Sequence, residues 1–98
     1  MNYKAILTDD IEQVLTQANA VLIDVRDEWE FEEFNVGGVN IPMPDIRAKR
    51  HLLTNYDHIV VVCANGVRSR IAVKDYGRAE ELADKHFYHV EGGLLGFE

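Results

Sequence analysis

The segment His58 to Cys63 (HIVVVC) constrains this 98-residue chain more than any other. Its three adjacent valines favour a β-strand, because branched side chains pack well on a pleated surface. A strand that is apolar along its whole length has no solvent face. Both faces must then be covered, which is the habit of parallel sheets flanked by helices. Ala20 to Asp24 (AVLID) is a second strand of this kind and ends in a carboxylate. Shorter strands are expected at Lys4 to Leu7, at Val39 to Ile41, where Pro42 stops the run, and at Phe87 to Val90.

Between the strands the pattern turns helical. Thr8 is placed to cap a helix running to about Gln17, with Asp9 and Asp10 in the first turn, where the helix dipole favours negative charge. Ile11, Val14, Leu15 and Ala18 would form its apolar face. Further helices are expected over Asp27 to Phe34, over Asp45 to Leu53 and from about Val67 onward; Gly77 should break or kink the last. Strands alternating with helices predict an α/β fold with a small central parallel β-sheet and helices on both faces. No repeat, low-complexity tract or linker interrupts the chain, and residues 1–98 suffice for a single domain.

Composition narrows the function. The net charge is −7, with no basic face to attract a nucleic acid. No segment approaches the length of a membrane span, and the first residues, MNYKAILTDDIEQ, lack the apolar run of a secretory leader. With one cysteine, no disulfide can form within the chain, and a free thiol fits a reducing compartment. A cytoplasmic protein is expected. The four histidines have no metal-ligand spacing with the cysteine, and neither metal nor cofactor is expected.

In such sheets, ligands bind at the carboxyl ends of the strands, where Cys63 lies. After it come Ala64, Asn65, Gly66, Val67, Arg68 and Ser69, leading into the expected helix. Gly66 permits backbone conformations that strain other residues. Successive N–H groups can then curl into a nest for an anion, backed by the helix N-terminus, a setting that favours a thiolate. Arg68 adds a fixed charge and a planar donor fork, and Ser69 a hydroxyl within reach of the sulfur. A lone cysteine ending a strand is read equally well as a small buried hydrophobe. A core cysteine, however, does not need Asn, Gly, Arg and Ser in the turn that follows it.

The stretch VVVCANGVRSRIA resembles the active-site loop of the rhodanese family. VLIDVRDEWEFEEFNVGGVNIP is similar to that family's strand–helix–strand signature, and VEGGLLGF to its closing Gly-Gly segment. The three blocks run in family order over nearly the whole chain. The resemblance implies a rhodanese fold and a sulfurtransferase. Cys63 would take a sulfane sulfur from thiosulfate or a related donor as a persulfide, then pass it to cyanide or a thiol, including a protein thiol. It also implies that Ala64 to Ser69 form the cradle and that Arg68 helps bind the anionic donor. Asp24 and Arg26 match the family's Asp-x-Arg pair, either bracing the loop or forming a structural ion pair. Glu30 is free to pair with Arg68, to pair with Arg26 or to face solvent. Phe34 stands where the family commonly has histidine, and Val73 to Val90 is longer than its counterpart.

Two other functions fit a cysteine and an arginine in such a loop. One is a rhodanese-fold phosphatase or arsenate reductase. The resembling phosphatases have one residue more than the four that separate Cys63 from Arg68 here. The other is a non-enzymatic persulfide carrier working with a partner protein.

Overall fold

A computed structural model of the chain describes residues 2–97. Five parallel strands form one sheet in the order β1-β5-β4-β2-β3, with β1 Asn2–Ile6, β2 Ala20–Asp24, β3 Val39–Asn40, β4 His58–Val62 and β5 His86–Val90. The continuous apolar run falls on β4, the central strand. Side chains alternate across it: Ile59, Val61 and Cys63 join one core, and Val60 and Val62 the other. Helix α3, Val67–Tyr76, covers the first face with Ala72, Val73 and Tyr76. Helix α1, Ile11–Leu15, covers the second with Ile11 and Val14. Helix α2, Glu28–Glu33, follows β2 near the carboxyl edge. Among the described residues no helix is long and apolar enough to cross a membrane.

Several expected elements take a different form. The first helix opens as a 3₁₀ turn at Thr8–Asp10, where the Asp10 carboxylate accepts the Leu7 N–H, and its α-helical part ends at Leu15. Ala18 is therefore exposed rather than on an apolar face. No single helix spans Asp45 to Leu53. Two 3₁₀ turns, Met43–Asp45 and Arg50–Leu53, stand in its place, each fastening one apolar anchor, Ile46 or Leu53, into the core under α3. At Gly77, by contrast, the expected break occurs: α3 ends there, and a 3₁₀ turn at Glu80–Leu82 leads into β5.

Candidate active site

The central strand β4 delivers Cys63 to the carboxyl edge between the ends of β5 and β2. The residue is completely buried. The chain then reverses through Gly66, whose φ of 91° lies in the left-handed region, and α3 begins. This turn aims backbone donors at the sulfur: the Gly66 N–H donates to Cys63 Sγ at 3.1 Å and the Ser69 N–H at 3.3 Å. Asn65 shapes the turn, its Oδ1 accepting the Val67 N–H at 3.1 Å. Two aligned amides at a helix start form an anion-holding concavity, and here its occupant is the cysteine sulfur.

The cradle is fastened from outside by the segment after β5. Leu94 N–H donates to the Cys63 carbonyl at 2.9 Å and Leu95 N–H to the Ala64 carbonyl at 3.1 Å. Gly93, at φ 58°, sits so close that a Cβ there would collide with both carbonyl oxygens. Gly93, the second glycine of the pair, is therefore a close-approach site against the cysteine's own backbone.

The charged residues fall into two pairs. Arg26 and Asp24 are buried and joined by Arg26 Nη2 to Asp24 Oδ2 at 2.9 Å, while Arg26 Nη2 also donates to the Phe34 carbonyl. Asn40 donates to the carbonyls of Asp24 and Arg26 and ties the turn after β2 to β3. Removing one buried partner of this ion pair would strand the other at a cost of roughly 3–5 kcal/mol. Glu30, the third residue of α2, accepts the Asp27 N–H and receives Arg68 in a fork, at 2.7 Å to Oε1 and 3.0 Å to Oε2. The Arg68 guanidinium, helped by the Asp27 N–H and opposed by burial, brings the Glu30 carboxyl down to about 2. The three possibilities open for Glu30 thus resolve to Arg68.

Ser69 differs from expectation. Its hydroxyl does not turn to the sulfur; it donates to the Gly66 carbonyl at 3.2 Å and meets His89 Nδ1 at 2.8 Å, leaving only the Ser69 N–H for Cys63. His89 was not singled out from sequence. It lies on β5 opposite Val61, is 1% exposed, and its Nε2 has no partner among the described residues. One tautomer satisfies the rest of the network: Nδ1–H donates to Ser69 Oγ, Ser69 donates to Gly66, and Nε2 is an acceptor. The available signal was parity. Phe87 is a core residue of β5, and His89, two positions on, must face the same side. Among the described residues no group of three or more His, Cys, Asp or Glu side chains converges as metal ligands would.

The family profile described as Rhodanese-like domain matches residues 7–98. A rhodanese-related protein from Thermoplasma volcanium is similar in structure, with TM-score 0.78 and 26% identity over 97% of this chain and 90% of that one. A rhodanese-like domain protein from Staphylococcus aureus has TM-score 0.74 and 26% identity, covering 100% of this chain and 92% of that one. A thiosulfate sulfurtransferase from Pseudomonas aeruginosa shares the fold at TM-score 0.80 and 20% identity, over 97% of this chain but only 18% of its own. No match is found among curated protein sequences.

Proposed function

Because the chain belongs to the rhodanese-like domain family, we propose that it is a sulfurtransferase acting through a Cys63 persulfide. The sulfane sulfur comes from thiosulfate or a related donor and leaves to a nucleophilic acceptor, cyanide or a thiol. The observation that carries this reading is the pair of backbone N–H groups, from Gly66 and Ser69, donating to Cys63 Sγ at the start of α3. Both donors meet the sulfur atom that must attack, where they can support negative charge on it. Cys63 attacks the outer sulfur of the donor; the donor's S–S bond breaks and the electron pair departs with the leaving group. The acceptor then attacks the outer sulfur on Cys63 and the thiolate returns.

Intact mass spectrometry tests this. Incubation with excess thiosulfate or a small persulfide should add the mass of one sulfur atom, and a reductant should remove it. Cys63→Ser should abolish both the adduct and thiocyanate formation from cyanide. Full activity in Cys63→Ser would sink the proposal.

A further inference from the structure

Resting on sulfur transfer at Cys63, the geometry points to its donor: a persulfide on a lysine- or arginine-rich segment of another protein, rather than a small dianion such as thiosulfate. Both arginines beside the mouth are already committed. Arg26 is buried on Asp24, and Arg68 is forked onto Glu30. A dianion seeking Arg68 would have to break that pair and leave the Glu30 carboxylate with only the Asp27 N–H. Arg70 gives no substitute. It is exposed and, two residues along α3 from Arg68, does not share that residue's face.

What remains at the mouth is negative and apolar. A cleft of about 230 Å³ between α2 and the loop is lined by Arg26, Trp29, Glu30, Glu33, Phe34 and Ala64. Glu28, Glu32 and Glu33 are exposed along α2. Trp29 is 61% exposed; Val67, at 56%, and Leu95, at 57%, stand on and beside the loop. Such a rim repels a dianion and gives a cationic polypeptide both charge and apolar contact.

The leaving group argues the same way. Attack of the Cys63 thiolate on thiosulfate expels sulfite, a dianion, into an acidic mouth. Attack on the outer sulfur of R–S–SH breaks its S–S bond, forms the Cys63 persulfide and releases R–S⁻, which takes a proton from water. The sulfur moves between two thiols with no net oxidation.

Three donors separate the outcomes: a cysteine persulfide peptide flanked by lysines, the same peptide flanked by glutamates, and thiosulfate, each followed by the rate of mass gain on Cys63. The lysine peptide should load the protein on the order of 10-fold faster than the glutamate peptide, with the gap narrowing as salt rises. Thiosulfate should be slower than the lysine peptide. Glu30→Gln, by freeing Arg68, should speed thiosulfate alone, and Glu32→Lys with Glu33→Lys should erase the preference for the lysine peptide. Equal rates for all three donors, unchanged in these variants, would overturn the donor assignment and leave sulfur transfer standing. No loading from any donor would overturn the sulfur-transfer reading and this inference with it.

Discussion

His89 holds a position that costs the fold something. Its ring is buried with Nε2 unpartnered among the described residues, so protonation would place a second N–H where none of them accepts it. Burial, and after it the charge of Arg70, therefore lowers its pKa from the ordinary 6.5. The unfolded chain takes up that proton first as pH falls, so this contribution to stability is complete above about pH 6.5 and declines below it. Denaturant midpoints followed from pH 8 to pH 5 should fall less steeply in His89→Asn than in the parent. The variant keeps an N–H for Ser69 while removing the titrating ring, so it should also keep the Cys63 alkylation rate, whereas His89→Leu should alter it. Superimposable pH profiles for parent and His89→Asn would exclude this role. Glu30 contributes in the carboxylate range. With its pKa brought to about 2 in the fold against 4.5 ordinarily, its stabilisation is whole above about pH 4.5 and is lost as pH falls toward 2. At this scale Cys63 was legible because its loop carries residue types that packing alone does not require. His89 was not, because its neighbour is twenty positions away and only the register of β5 against β4 brings them together.

At the scale of elements, the turn from β4 into α3 is held by the segment after β5 as much as by its own residues. Gly93→Ala should lose about 1–3 kcal/mol from the left-handed backbone alone, and more from the collision with the Cys63 and Ala64 carbonyls. Gly92 also has positive φ, but a Cβ there meets nothing within 4 Å, so Gly92→Ala should be the milder change. Thermal unfolding ranks the two, and faster alkylation of Cys63 in Gly93→Ala alone would locate the damage at the cradle; equal losses would mean the close approach is unimportant. The strands of this layer were legible from their apolar runs. The Asp45 to Leu53 segment was not. It buries Ile46 and Leu53 while Leu52 faces out, and two separated anchors need no continuous helical stripe between them.

For the whole molecule, the question is which anion the loop admits. Four residues separate Cys63 from Arg68, the amides of Gly66 and Ser69 already close on the sulfur, and Arg68 is turned to Glu30. A phosphoryl group needs more donors than this ring leaves free, and the net charge of −7 repels it at a distance. Hydrolysis of aryl phosphates should therefore be negligible. Insertion of one glycine after Gly66 should reduce sulfur transfer and strengthen phosphate binding, measured by calorimetry. Phosphatase activity in the parent that vanishes in Cys63→Ser would reverse the assignment. The α/β class and the two covered faces could be read from alternation. The strand order could not, since nothing in a buried apolar run names its neighbour.

That order has a consequence for how the protein is made. Among the described residues β1 pairs only with β5, and the carbonyls of Cys63 and Ala64 wait for Leu94 and Leu95. Synthesis proceeds from the amino end, so the first strand emerges from the ribosome long before its one partner exists. The cysteine likewise leaves the exit tunnel before the groups that fasten its loop. The turn around Cys63 is thus fastened only once the last strand and the Gly-Gly segment have followed it out.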